Sequence, residues 1–243
     1  MKKAVGVIGG VGPMATAYFM ERVIDMTEAK CDQEHINMLV FNDCDIPDRT
    51  AFITGQSIDN PLPIMVEDAK ALETLGCQFV VIPCNTAHYF YEELQTQVSI
   101  PVVNIVEETI RYAKSRYENL SKIGILATSG TIEAGTYQKY AEEAGIQWLI
   151  PDAPAQEALM HIIYDGVKAG KKVDKEAFDA IANTLRLQGA QCLVLGCTEL
   201  SVLKRDLPII DSDVLDSIDV LASETIVRSG KTVKEDVMVK RNA

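Results

Sequence analysis

The sequence predicts an α/β fold of two pseudo-symmetric three-layer domains with mainly parallel sheets, and a ligand site in the cleft between them. Three observations predict it. Short apolar runs alternate with longer amphipathic stretches along the whole chain. The runs are continuously apolar rather than alternating, as strands covered on both faces require. The chain also resembles itself: GCQFVVIPCNT (76–86) aligns without a gap on GAQCLVLGCTE (189–199), setting Cys84 against Cys197, 113 positions apart.

Taken in order, AVGVI (4–8) is the first strand, and the turn Gly9, Gly10, Val11, Gly12 leads to a helix start at Pro13. INMLVF (36–41) is the second strand, and Met65, Ala69, Leu72 and Leu75 form one stripe of a helix. FVVI (79–82) and PVVNI (101–105) complete the first half, with a junction between about 103 and 121. KIGIL (122–126), CLVLG (192–196) and PIID (208–211) are strands of the second half, and Ala177, Ile181 and Leu185 are a helical stripe within it. VGVIGG (5–10) matches IGILAT (123–128), and IPVVN (100–104) matches LPIID (207–211), in the same order around each cysteine. The expected division is 1–104 with 214–243 as the first domain and 105–213 as the second, the final helix returning to the first.

Hydrophobic residues are 47% of the 243 and charged ones 24%, a composition that builds a core and excludes disordered, collagen-like and coiled-coil chains. The net charge of −12 disfavours nucleic acid and anionic membrane surfaces as partners. A small anionic ligand would need locally placed cations. No apolar run approaches the roughly 18 residues of a membrane span. Lys2, Lys3 and the apolar run before Ala15, Thr16 and Ala17 imitate a short secretory leader. The segment has a counterpart in the second half, however, and reads as strand and turn. Six cysteines without a C-x-x-C pair argue against a disulfide scaffold or structural zinc, and for a reduced, cytoplasmic protein.

Ligands of open parallel sheets lie beyond the carboxyl ends of strands. Cys84 and Cys197 both stand there, each closing a strand and opening a helix, with Thr86 and Thr198 as cap-type residues. A helix start favours a thiolate, so a lowered thiol pKa is expected. Cys31, Cys44, Cys77 and Cys192 read as small buried hydrophobes. A cysteine recurring at one site of both repeats, bordered by Asn85, Thr86, Thr198 and Glu199, reads instead as a redox disulfide, a metal clamp or a two-base proton-transfer device. Metal is the weakest of these, since no histidine or further cysteine falls at ligand spacing. Two thiols on opposing lobes suit the last: one, as thiolate, takes a proton from a carbon while the other delivers a proton to the opposite face. The carboxylate of the resulting carbanion needs donors, which helix starts and hydroxyls supply.

From Gly10, the first turn satisfies the dinucleotide pattern G-x-G-x-x-A, but Asn42 and Asp43 follow nearly 30 residues later, beyond the usual position of a ribose-binding acid. A tight turn that lets backbone approach a small ligand is the plainer reading, and it makes Gly12 a candidate. ATSGT (127–131) is its echo, with the hydroxyl of Thr128 on offer. SGKT (229–232) is no phosphate loop, because Thr225 stands where its first glycine should be. Arg49 is expected in a polar loop and Lys168 near a helix end. His88, four residues after Cys84, reads as a structural histidine; His35 and His161 have no supporting context. Glu133, Glu157, Glu142 and Glu143 read as solvated.

Together GGVGP, CDQEH (31–35), IPDRTA (46–51), PCNTAH (83–88), ATSGT, YDGVKAG (164–170) and GCTEL (196–200) resemble the cofactor-independent aspartate/glutamate racemase family, and within it the aspartate racemase branch. The resemblance implies a homodimer of two-domain chains that uses no pyridoxal phosphate, metal or nucleotide and interconverts L- and D-aspartate. It implies that Cys84 and Cys197 are the acid/base pair, Cys197 serving the L face and Cys84 the D face. Asn85, Thr86 and Thr198 would hold the α-carboxylate and ammonium, and Arg49 and Lys168 the side-chain carboxylate. Glutamate or broader amino-acid specificity is the alternative within the family. Hydantoin racemisation, maleate isomerisation and malonate decarboxylation reuse the same thiols in the wider superfamily. Outside it stand a nicotinamide-dependent dehydrogenase, resting on the glycine turn, and a non-catalytic amino-acid-binding protein. The tail from Gly230 onward has no counterpart and is expected to be disordered.

Overall fold

The computed structural model describes residues 4–207, 209 and 211–235. Strands β1 (Ala4–Gly9), β2 (Met38–Asn42), β3 (Cys77–Val81) and β4 (Val102–Val103) form one sheet in the order β2-β1-β3-β4. Strands β5 (Lys122–Leu126), β6 (Gln147–Leu149), β7 (Cys192–Leu195) and β8 (Val214–Asp216) form a second, ordered β6-β5-β7-β8. Every pairing in both is parallel. The two halves therefore share one topology, as the internal repeat predicts.

Between the sheets lie helices α1 (Pro13–Met26), α5 (Ile105–Arg116) and α11 (Ser217–Arg228), with α11 packed on both of the others. One core joins Phe19, Val23, Ile110, Ile218 and Leu221 of these helices to Val5, Val7 and Val81 of the first sheet and Ile123, Ile125 and Val194 of the second. On the outer face of the first sheet, α3 (Leu62–Thr74) packs Met65, Ala69 and Leu72 against Ile8 and Val80. On that of the second, α9 (Lys175–Leu187) packs Phe178, Ile181 and Leu185 against Leu193 and Leu195. Successive strand residues thus enter opposite apolar layers, which is why the strand runs are apolar throughout. The remaining helices are α2 (Arg49–Ile53), α4 (Tyr91–Gln95), α6 (Ser129–Ala134), α7 (Thr136–Glu143), α8 (Ala153–His161) and α10 (Thr198–Asp206). A π-helical turn, Ile162–Lys168, extends α8.

The structure corrects several sequence expectations. The last strand is Val214–Asp216, and Ile209 and Asp211, the described residues of PIID, lie in no strand. Ile209 fills the core from a loop, and periodicity cannot tell a buried loop from a short strand. The repeat therefore matches VVN (102–104) with VLD (214–216), where Asn104 and Asp216 each cap the following helix. The second sheet accordingly runs past residue 213. Strand β6 was not expected, because a three-residue edge strand with an exposed Gln147 leaves no apolar run. Leu75, just past the end of α3, and Ala177 are exposed, and Asp68 and Phe178 hold the buried places on their helices. Cys31 and Cys44 are exposed rather than buried, one before a short turn and the other after β2. The first part of the tail is ordered: Val233 bridges Thr27, and Lys234 N–H donates to the Met26 carbonyl. Residues 236–243, the rest of that tail, lie outside the described residues.

A buried ionic node ties the central layer to α10. Asp219 accepts from Arg22 Nε at 2.6 Å and Lys204 Nζ at 2.8 Å, and Lys204 also reaches the fully buried Asp216 at 2.9 Å. Asp216 in turn accepts from the Ser201 hydroxyl and the Ile218 N–H. Burial alone would raise the Asp219 pKa, but Lys204 and Arg22 outweigh it and hold the carboxyl below its ordinary value. A depressed carboxylate stabilises the fold above the unfolded-state value of about 3.9, and that contribution is lost as pH falls through the folded value. In thermal melts, wild type should lose stability more steeply than Asp219→Asn as pH drops below about 4. Lys204→Met, which leaves the buried Asp216 without a cation and Asp219 with Arg22 alone, should cost about 3–5 kcal/mol near neutral pH.

Candidate active site

The carboxyl ends of β1, β3, β5 and β7 converge on one small pocket whose free volume of about 10 Å³ is scarcely that of one water. The walls must part to admit a metabolite. Its walls include Cys84, Cys197, Arg49, Asn85, Thr86, Thr128, Thr198 and Lys168, eight of the nine site residues expected from sequence. The ninth, Gly12, stands just behind the wall: Val11 lines the pocket, and a Cβ on Gly12 would lie 2.9 Å from Glu199 Oε1. Gly12 has φ 113°, so the β1–α1 turn presses its backbone onto the other lobe. At Gly10 a Cβ would fall 2.2 Å from the Asp43 carbonyl oxygen, and its N–H is taken by the Thr16 hydroxyl. This packing leaves no cradle for a pyrophosphate, and the dinucleotide reading loses its basis.

Two residues sit differently from expectation. Arg49 is not in a loop but opens α2, because Asp48 caps that helix by accepting from Ala51 N–H at 2.8 Å. Thr86 and Thr198 are first helical residues rather than caps; the capping positions are Asn85, before a short 3₁₀ turn (Thr86–Phe90), and Cys197, before α10.

The site carries four formal charges. Arg49 is 7% exposed, its Nη1 donates to the Ile46 and Pro47 carbonyls, and its Nε has no partner among the described residues. Burial disfavours its charge, but the neighbouring Cys84 and Asp48 outweigh that and raise its pKa. Lys168 Nζ lies 3.8 Å from both Asp48 Oδ2 and Glu199 Oε1 and 4.2 Å above the Tyr164 ring. Burial again opposes the charge, and Glu199, Tyr164, Cys197 and Asp48 hold the ammonium above its ordinary value. Tyr164 donates to the Asp48 carboxylate, and burial pushes its hydroxyl up to about 12, so it stays protonated near neutrality. Tyr164 and Lys168 both ride on the π-helical turn, which brings them together one turn apart.

The two thiols differ. The Cys197 thiol donates to Glu199 Oε2 at 3.0 Å. Burial first, then the Glu199 charge, raises its pKa well above the ordinary thiol value, with Lys168 opposing. The helix start, expected to lower it, loses to desolvation and a carboxylate at hydrogen-bond distance. Cys84 instead has the Arg49 guanidinium as its neighbour.

Hydroxyls of Thr86, Thr128 and Thr131 close a ring at 2.8–3.1 Å across the two lobes. His88 is structural: its Nε2 accepts from Ile105 N–H, so Nδ1 donates to the Cys84 carbonyl at 2.8 Å and not to the thiol. His35 and His161 lie outside the pocket, and Glu133, Glu142, Glu143 and Glu157 are exposed. Sequence reasoning missed Asp48, Thr50, Tyr164 and the role of Glu199 as a pocket wall. The available signal was adjacency, since each shares a motif with a residue it did single out.

A fold of two like parallel sheets with a cysteine at the same strand end of each defines a class of pseudo-symmetric enzymes, and comparison identifies it. Residues 8–225 match the Asp/Glu/hydantoin racemase family. Picrophilus torridus aspartate racemase superposes with a TM-score of 0.83 at 30% identity, covering 97% of each chain. The broad specificity amino-acid racemase RacX of Bacillus subtilis (strain 168) is 30% identical over 218 residues, 86% of this chain and 92% of its own. A glutamate racemase of Corynebacterium glutamicum is 29% identical over 168 residues, 65% of this chain and 60% of its own. The chain belongs to the Asp/Glu/hydantoin racemase family, and it is an amino-acid racemase of the kind that works without pyridoxal phosphate.

Because Glu199 contributes to holding Cys197 protonated, Glu199→Gln should shift the titration of that thiol to lower pH. The alkylation rate of Cys197 against pH, measured in a Cys84→Ser background, reads this directly. An unmoved midpoint would remove Glu199 from the account.

Proposed function

We propose that this chain interconverts L- and D-aspartate by passing a proton between the substrate Cα and two thiols, Cys84 and Cys197, without a cofactor. The observation that carries this reading is the meeting of both thiols with two cations, Arg49 and Lys168, in one narrow pocket. A thiolate takes the Cα proton, the electron pair moves into the α-carboxylate, and the opposite thiol protonates the other face. That second sulfur becomes the thiolate that starts the reverse reaction. Cys197 serves the L face and Cys84 the D face.

Glu199 supplies the thiolate on its side. Moving the Cys197 proton onto Glu199 leaves the net charge of the pocket unchanged, which costs less than releasing a proton from a desolvated site. Asn85, Thr86, Thr198 and Thr128, with backbone near Gly12, hold the α-carboxylate and ammonium. Arg49 and Lys168 receive the side-chain carboxylate, for which the unpartnered Arg49 Nε is a ready donor. The Picrophilus torridus relative supports aspartate. One methylene is worth only about 1–3 kcal/mol in a pocket, so glutamate is the natural competitor. The RacX relative favours broader specificity as the second reading. Six free cysteines suit a cytoplasmic setting, and a homodimer is the assembly implied by the resemblance.

Incubation with L-aspartate or L-glutamate in heavy water, without added cofactor, tests the proposal by optical rotation and deuterium at Cα. Inversion with deuterium incorporation is expected, faster for aspartate. Cys84→Ser and Cys197→Ser should each lower the racemisation rate at least about a hundredfold. Faster inversion of glutamate would replace aspartate as the substrate, and a rate unchanged by either serine substitution would contradict the two-thiol mechanism.

A further inference from the structure

Polar links that the proton transfer does not use converge on Asn85, which is 1% exposed and follows Cys84 directly. The Tyr137 hydroxyl donates to Asn85 Oδ1 at 2.7 Å. Asn85 Nδ2 donates to Ser217 Oγ at 3.0 Å, and the Ser217 hydroxyl donates to the Leu195 carbonyl at 2.8 Å. The chain has one direction only. A carbonyl cannot donate, so the single Ser217 proton is committed to Leu195 and the Ser217 oxygen must accept. The amide nitrogen of Asn85 therefore faces Ser217 and its oxygen faces Tyr137. One N–H and one lone pair of Asn85 are left for the pocket that it lines.

The other ends of these links reach the second thiol. Leu195 closes β7 two residues before Cys197. Tyr137, on α7 and fully buried, lies so close to Gly196 that a Cβ there would fall 2.9 Å from Tyr137 Cε2. Tyr137 thus touches the residue after Cys84 with its hydroxyl and the residue before Cys197 with its ring. Ser217 makes the same crossing by hydrogen bonds alone. All three side chains are buried, where such a bond is strong and a lost partner is costly.

We propose that Tyr137 and Ser217 are positioning residues that set the span between the two thiol-bearing turns. Neither lines the pocket, so each acts through Asn85 and the β7 end. The inference rests on the two-thiol reading above. Its physical ground is that transfer to both faces of one carbon tolerates little displacement, a misplacement of about 1 Å costing up to about a hundredfold in rate.

The test is Tyr137→Phe, which removes one hydroxyl and keeps the ring against Gly196, together with Ser217→Ala and the double variant. Initial rates of inversion and of Cα deuterium incorporation are measured on aspartate in both directions. Both single variants should lose about tenfold in kcat, with a smaller rise in KM of about two- to threefold, since Asn85 also binds the substrate and is loosened. The ratio of exchange to inversion should rise severalfold, because a thiol that has taken the proton returns a solvent deuteron to the same face when its opposite number is displaced. The double variant should be no worse than the poorer single variant by more than about twofold, as members of one unit behave. Partial unfolding would lower exchange and inversion together and leave their ratio alone. An exchange-to-inversion ratio equal to wild type in both single variants would overturn the proposal, whatever happens to the rate. A wild-type enzyme that neither exchanges nor inverts aspartate, glutamate or a neutral amino acid would overturn the two-thiol reading itself, and this inference with it.

Discussion

Four charged side chains surround two thiols in a space too small to hydrate them freely, and the rest of the site follows from how those charges are balanced. Arg49 and Lys168 against Asp48 and Glu199 sum to zero, and for the buried Arg49 and Glu199 an unpaired charge would be costly. Lys168 is the hub, within 3.8 Å of a carboxylate from each lobe. Asp48 does two further jobs, capping α2 and accepting from Tyr164. A dicarboxylic amino acid entering this pocket brings its own charges, and the pairs present must loosen to receive it. The acidic net charge of the chain repels such a ligand, so the pocket cations must supply the local attraction.

Duplicated backbones do not make the two thiols equivalent. Cys197 is shielded, hydrogen-bonded to a carboxylate and held as a thiol, whereas Cys84 lies beside a guanidinium. In the proposed two-thiol reaction, the two faces of a substrate would meet different neighbours from mirrored scaffolds. The fold keeps the two sides in register through one shared core of α1, α5 and α11 and through the ionic node that locks α10 to α1.

Much of this was legible in the sequence, for identifiable reasons. The recurrence of a cysteine at matched strand ends is a pattern that core packing alone does not produce, and it led to both thiols and the turns around them. Strands buried on both faces leave continuous apolar runs, so β1, β3, β5 and β7 stood out, while the half-exposed edge strand β6 did not. The register of the last strand misled because PIID is as apolar as VLD, and only the pairing of Val214 with Leu193 distinguishes them. Glu199 and Tyr164 escaped because their roles depend on contacts distant in sequence: Glu199 with Lys168 inside the second half, and Tyr164 with Asp48 across the two halves. The raised pKa of Cys197 was likewise hidden, since a helix start predicts its direction wrongly when burial dominates.

Proton transfer by the proposed route requires both sulfurs to face one substrate carbon. A crystal structure of the wild-type enzyme soaked with aspartate tests this most directly. It should place Cα between Cys84 Sγ and Cys197 Sγ, on opposite faces and within about 4 Å of each, with the side-chain carboxylate toward Arg49 and Lys168. An amino acid seated with both sulfurs on one face, or beyond the reach of either, would contradict it.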